Sequence, residues 1–184
     1  EAEFSGGGQA CVKPHTQLLA VIQSSGRPLE DFDFSGGPED FDCYPGLEEL
    51  AHQFFLLLAL ANTVLVAREG QEDCLEVDYQ GESPDEVCLV GAASAYGYKL
   101  QGRDQDQATL LHPDGSSQSY LVVEVLPFHP SRRRMSVVVR GAYNGRLLLL
   151  CKGADCSVLP QLRRSRSRKE EEAVRGVREE LEQY

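Results

Sequence analysis

The sequence predicts an α+β domain, a twisted antiparallel β-sheet flanked by helices, and three observations carry that prediction. Leu47, Leu50, Phe54, Leu57, Ala61 and Val64 recur at three and four residues, the spacing of one helical face. Ser83-Pro84-Asp85-Glu86 has the chemistry of a helix start, with serine as N-cap, proline at the first position and glutamate at the third. After Gly97 come five short strand-like runs punctuated by turn residues.

In chain order, residues 1–4 (Glu-Ala-Glu-Phe) read as a cloning scar, and the chain, which has no initiating methionine, as a piece of a longer protein. Residues 5–46 read as an acidic, glycine-rich lead-in, with Gly6-Gly7-Gly8, a Phe34-Ser35-Gly36-Gly37 run and an acidic aromatic stretch around it. Leu18, Leu19, Val21 and Ile22 are the one place there for a short docking element. Residues 47–184 form the folded domain. Its first helix carries an apolar run at 54–66 that Asn62 and Thr63 interrupt, so it is expected as a buried core helix and not as a membrane span. A short strand is expected at 75–79, then the helix begun by Ser83, with Leu89, Val90, Ala93 and Tyr96 on one face. Strands follow at 98–101, 108–112, 120–126, 135–140 and 146–151, with turns at Pro113-Asp114-Gly115 and Tyr143-Asn144-Gly145. Helix is expected again at 154–162 and 169–184.

A chain of 184 residues that is 41% hydrophobic has material for one sizeable core. Of the net charge of −11, the first 50 residues carry −8, from two basic and ten acidic groups, so the remainder is close to neutral. That balance argues against a nucleic-acid or anionic-membrane surface, which needs a basic footprint. Six cysteines without a C-x-x-C pair are too few for a disulfide scaffold and are not spaced for zinc; reduced thiols in the cytosol are expected.

Asn144-Gly145 as a two-residue hairpin loop pairs positions whose numbers sum to about 289, which sets Lys152 opposite Val137. Lys152 then lies at the strand end away from the turn, beside Met135, Ser136 and Arg134, and Phe128 reaches the same end if its strand is the neighbour. An aromatic ring beside cations suits a nucleotide. Stacking of a base on a protein aromatic contributes roughly 1–3 kcal/mol. A lysine donates to ring nitrogens, an arginine forks onto ribose or phosphate, and Gly153 lets a ligand approach the backbone. Each residue also fits a plainer role: Phe128 as a core aromatic, Lys152 as a solvated charge, Arg132–Arg134 as an exposed basic turn, Glu86 as half of a capping box.

Several blocks, in order, resemble the P4-type ATPases, the lipid-flippase branch of the P-type pumps. Tyr79-Gln80-Gly81-Glu82-Ser83-Pro84-Asp85-Glu86 with Val90, Ala92 and Ala93 is similar to their Tyr-Gln-x-x-Ser-Pro-Asp-Glu stretch. Phe128, then Ser131-Arg132-Arg133-Arg134-Met135-Ser136 and Val137-Val138-Val139-Arg140, is similar to their Phe-x-Ser-x-Arg-Lys-Arg-Met-Ser block. Lys152-Gly153-Ala154-Asp155 matches their Lys-Gly-Ala-Asp, and Phe55-Leu56-Leu57-Leu58-Ala59-Leu60 resembles the helix that opens their nucleotide-binding domain. The resemblance spans about residues 47–162. It implies that Phe128 stacks on adenine, Lys152 lies in the pocket with Gly153 behind it, Glu86 accepts from the adenine amino group and Arg134 approaches ribose or phosphate. Ser131 and Asp85 count among the nucleotide-binding residues on the same ground.

The resemblance further implies ATP as ligand, Mg²⁺ in the full-length protein, and a parent pump that passes phosphate to an aspartate and moves phospholipid between leaflets. Its partners would be the phosphorylation and membrane domains of the parent chain and an accessory subunit, and its place a cytosolic face of an integral membrane protein. The family's Asp-Lys-Thr-Gly and Asp-Gly-Glu-Thr motifs do not occur in these 184 residues, so no catalytic residue is assigned. The competing reading is a non-catalytic interaction domain that binds an acidic or phosphorylated partner through Arg132–Arg134 or through Arg163, Arg164, Arg166 and Arg168. An autonomous enzyme fits least: there is no glycine-rich phosphate loop, and His15, His52, His112 and His129 lack metal or nucleophile spacing. His52 reads as a helix-surface residue and His129 as a pocket-edge residue.

Overall fold

The computed structural model describes residues 46–67, 77–141, 145–165 and 167–183. The expected scar, the lead-in up to residue 45, and the turn residues Tyr143 and Asn144 lie outside them. Helix α1 (Leu47–Leu60) leads into strand β1 (Leu65–Ala67), which pairs antiparallel with β2 (Asp78–Gln80). Helix α2 (Pro84–Ala95) follows, then β3 (Lys99–Arg103), β4 (Gln107–Leu111), β5 (Ser117–His129), β6 (Arg134–Gly141) and β7 (Leu147–Gly153). These five pair in sequence order, every neighbour antiparallel, as short turn-bearing connections dictate. A short α3 (Asp155–Val158), a 3₁₀ turn (Leu159–Gln161) and α4 (Arg168–Leu181) complete the chain. The expected α+β class is what is found. The strand expected at 75–79 begins at Asp78, with 75 and 76 outside the described residues, and β1 was not foreseen.

The core lies between one sheet face and the two helices. Alternation in β6 sends Met135, Val137 and Val139 inward, where they join Tyr120 and Val122 of β5 and Ala108 and Leu110 of β4. Val90 and Ala93 of α2 are fully buried, whereas Leu89, expected on the same face, is partly exposed. The face expected for α1 is corrected in part: Leu47 and Phe54 are 64% and 56% exposed and Ala51, Phe55, Leu58 and Ala59 are buried, whereas Ala61 and Val64, just past the helix, are buried as expected and Leu57 packs against the core. The run from Phe54 to Leu60 is apolar all round, so spacing alone does not select a side; the aromatic neighbours do. Phe55 stacks on Tyr96 with ring centroids 4.4 Å apart and on Tyr98 at 5.7 Å.

The helix also ends earlier than its apolar run. Asn62, fully buried, donates from Nδ2 to the Leu58 and Ala59 carbonyls at 3.1 and 2.8 Å and accepts from the Val64 N–H at 3.1 Å. Arg103 of β3 donates to the carbonyls of Leu60, at 2.6 Å, and of Asn62. Together they satisfy carbonyls that a helix C-terminus leaves without partners and turn the chain toward β1. The polar pair that breaks the apolar run is therefore the helix stop.

The β6–β7 hairpin differs in register from the expectation. Arg140 pairs with Leu147 and Met135 with Lys152, and Gly145, at φ +64°, donates to the Gly141 carbonyl at 3.1 Å. The loop spans four residues between Gly141 and Arg146 and not two, so Lys152 faces Met135 in place of Val137. A shift of two keeps every side chain on its expected face. Lys152 remains at the end away from the turn.

Candidate functional site

Pairing carries one transverse row across the far end of the sheet: His129 to Arg134 to Gly153. One step back along the two parallel outer strands lie Phe128 and Lys152, with Met135 between them. Two strand spacings separate β5 from β7, roughly 10 Å. Phe128 falls where the β5–β6 register shifts between Leu126 and His129, so no strand partner covers it, and its side chain is 61% exposed. The core-aromatic role is thus excluded. A large ring held on a sheet rim in solvent is available to stack.

The expectation of a solvated lysine at the strand end is corrected. Lys152 is 16% exposed in its side chain because it shares the inward face of Met135 and meets the N-terminus of α2, where its Nζ lies 3.1 Å from Glu86 Oε1. No other hydrogen-bond partner for that buried Nζ is found among the described residues. Glu86 stands where the capping box puts it: Ser83 Oγ accepts from the Glu86 N–H at 3.4 Å, and α2 starts at Pro84. Its carboxylate does not fold back as a capping box would have it. Oε2 accepts from the Thr63 N–H at 2.9 Å and from Thr63 Oγ1 at 2.8 Å. Burial works to raise the Glu86 carboxyl; the two Thr63 bonds and the nearby Lys152 ammonium outweigh it and hold the group below its ordinary value.

The remaining expected residues are placed as follows. Gly153 abuts the β6 backbone: a Cβ there would meet the Arg133 carbonyl oxygen and Arg134 Cβ at 2.5 Å, so the missing side chain already has a use inside the fold. Arg134 donates to Ser157 Oγ of α3 at 3.0 Å. Ser157 in turn donates to the Arg132 carbonyl, tying the arginine loop to the segment after β7. Ser131 is exposed and its Oγ lies 2.7 Å from His129 Nδ1. Asp85 is exposed on the first turn of α2. The structure therefore brings Glu86 and Lys152 into contact, sets Phe128 on the same rim, and leaves Ser131 and Asp85 outside the ion pair. Spacing did not reveal Thr63. Its signal was the polar interruption of the α1 run.

A second polar cluster lies under α1. His52, expected on the helix surface, instead has Nδ1 2.8 Å from the Tyr98 hydroxyl, and its ring stacks on the buried His112 at 5.9 Å. His112 Nε2 lies 3.4 Å from the Tyr120 hydroxyl. Burial, with His112 beside it, lowers His52 to about 4 against the pull of Asp114. Burial lowers His112 to about 4 as well. Among the described residues no group of three or more His, Cys, Asp or Glu side chains is placed to hold a metal ion. No helix among them is long and apolar enough to cross a membrane.

No protein-family model matches the chain. Curated relatives do. It is 39% identical over 127 residues, 68% of its length, to the phospholipid-transporting ATPase IC of Mus musculus. The phospholipid-transporting ATPase IH of the same species is 31% identical over 187 aligned positions, 92% of this chain. The probable phospholipid-transporting ATPase 12 of Arabidopsis thaliana is 37% identical over 136 residues, 71% of this chain. The chain thus belongs to the family of P4-type, phospholipid-transporting ATPases. It spans 10 to 15% of the length of these three relatives.

Proposed function

We propose that this chain is the nucleotide-binding domain of a P4-type ATPase and that its sheet rim holds ATP. The observation that carries the proposal is the rim itself. An exposed aromatic at Phe128 stands in the same row as Lys152, whose buried Nζ has donor capacity beyond its ion pair with Glu86. Phe128 stacks on adenine, Lys152 donates to a ring nitrogen and Glu86 accepts from the exocyclic amino group. Gly153 and Arg134 border the pocket toward ribose and phosphate, and Ser131 and Asp85 are its outermost members. In the parent pump the γ-phosphate passes to an aspartate on a separate phosphorylation domain, with Mg²⁺ on the phosphates, and the aspartyl-phosphate drives phospholipid translocation. The domain then faces the cytosol of an integral membrane protein, beside the pump's other domains and an accessory subunit. Binding and positioning are its share of the work.

The interaction-domain alternative draws less support, because four of its arginines are engaged within the chain: Arg132 with the Pro127 carbonyl, Arg134 with Ser157, Arg163 with Glu170 and Arg168 with Glu172. Titration of the chain with ATP, followed by amide shifts or calorimetry, tests the proposal. Saturable shifts at Phe128 and Lys152 are expected, with ADP equal to ATP within about threefold and no Mg²⁺ requirement, since base and ribose make the contacts. Strict Mg²⁺ dependence, or shifts confined to the arginine runs, overturns it.

A further inference from the structure

Thr63 is exposed, yet both its N–H and its hydroxyl are directed at one oxygen of Glu86, 23 residues away. Its position is set from behind by Asn62, which is fully buried and spends its amide on the last turn of α1 and the Val64 N–H, and by Arg103, which donates to the Asn62 carbonyl. The C-terminus of one helix is thereby joined to the N-terminus of the next through a carboxylate, and the second carboxylate oxygen is left to Lys152 at 3.1 Å. Helix termination needs none of this from Thr63; Asn62 and Arg103 accomplish it. The hydroxyl serves Glu86.

We propose that Thr63 is a positioning and specificity-determining residue of the nucleotide site, which by occupying Glu86 Oε2 presents Oε1 and Lys152 as a paired acceptor and donor for a base that carries an exocyclic amino group. The proposal rests on the nucleotide reading above. An ionised carboxylate only accepts hydrogen bonds, so it pairs with an amino group and opposes a carbonyl oxygen at the same place. A site built to bond one polar group rejects the analogue that lacks it far more strongly than an apolar pocket rejects a methylene. Without the hydroxyl the carboxylate keeps the main-chain N–H and Lys152 but gains freedom to turn, so Oε1 is no longer held on the amino group. Discrimination falls even though every group that touches the base is still present.

The test compares ATP with inosine triphosphate, which has a carbonyl in place of the adenine amino group, on the whole chain and on Thr63→Val and Thr63→Ser. The unmodified chain is expected to prefer ATP by about tenfold or more. Thr63→Val should narrow that preference by about fivefold, less than the full worth of a hydrogen bond to a charged partner because the Thr63 N–H and Lys152 still hold the carboxylate, and chiefly by weakening ATP. Thr63→Ser should restore it, since it keeps the hydroxyl. If valine crowds the turn and lowers the melting temperature, Thr63→Ala must give the same narrowing. A preference unchanged within twofold in the folded Val or Ala variant, or a serine variant as poor as valine, overturns the proposal and leaves the nucleotide site standing. An unmodified chain that binds ATP and inosine triphosphate equally does the same. An unmodified chain that binds neither removes both.

Discussion

Two polar clusters border α1, and they are built in opposite ways. Beneath the helix, His52, Tyr98, His112 and Tyr120 pack ring against ring inside the core, with hydrogen bonds between His52 and Tyr98 and between His112 and Tyr120, no partner for His112 Nδ1 among the described residues, and both imidazoles held neutral by burial. Past its C-terminus, the Glu86–Lys152 ion pair, with Thr63 donating to the carboxylate, is tied down from the protein side and open toward Phe128. A cluster enclosed in the core fixes one packing; one at the rim keeps donors and acceptors for something outside the chain. The difference is not burial as such. Lys152 and Glu86 are mostly covered too, at 16% and 15% exposure, but they stop short of using up their hydrogen-bonding capacity on each other.

Acid separates the clusters most strongly. A histidine held at about 4 in the fold and near 6.5 when unfolded binds its proton only in the unfolded chain between those values. Its contribution is complete above about 6.5 and is lost as pH falls toward 4, at about 1.4 kcal/mol per pH unit for each imidazole. The lowered Glu86 carboxyl adds a loss only below its ordinary value of 4.5. Melting temperature measured by circular dichroism should therefore drop steeply between pH 6.5 and 4.5, and less steeply in His112→Phe; a flat curve over that window breaks the contrast.

Gly153→Ala comes next. The added Cβ meets the Arg133 carbonyl oxygen and Arg134 Cβ at 2.5 Å, closer than real Cβ atoms come, so the end of β7 must shift. A loss of about 1–3 kcal/mol in denaturant unfolding is expected, as for other overpacked sites. An unchanged midpoint would mean that the row His129 to Arg134 to Gly153 is slack, and that Phe128 and Lys152 are not held in one frame.

Phe128→Leu sharpens the comparison from the open side. With 61% of the side chain in solvent, the change should alter stability by less than about 0.5 kcal/mol, as surface substitutions do. ATP affinity should fall by one stacking contact, roughly 1–3 kcal/mol or about one to two powers of ten. Loss of stability without loss of affinity would return Phe128 to the core.

What could be foreseen from the sequence follows the same division. The cap at Ser83 and the strand at 135–140 are local signals, and both appear as expected. The α1 face was misjudged because Phe54 to Leu60 offers apolar residues on every side, and only the distant Tyr96 and Tyr98 choose among them. His52 was misplaced for the same reason. The hairpin register missed by two because Asn144-Gly145 signals a tight turn but not how many residues precede it. The contact of Glu86 with Thr63 joins residues 23 apart through a helix end that spacing does not locate. The residues of the proposed site come from a set of motifs; the contacts among them required the fold.

The smallest expected effect distinguishes two neighbours. Asp85 and Glu86 both sit in the first turn of α2, where a negative charge favours the helix dipole by about 0.3–1 kcal/mol at an exposed position. They differ by about 100° around the helix axis. That rotation leaves Asp85 in solvent and swings Glu86 onto Thr63 and Lys152. Asp85→Asn should therefore cost only a few tenths of a kcal/mol in stability and change ATP affinity by less than about threefold. Glu86→Gln, in the same turn, exchanges a pure acceptor for an amide beside Lys152 and should weaken ATP by about tenfold. Calorimetric titration of the two variants side by side decides it. If Asp85→Asn weakens ATP as much as Glu86→Gln, the ligand lies over the outer face of α2, and the rim defined by Phe128 and Lys152 is not where the base sits.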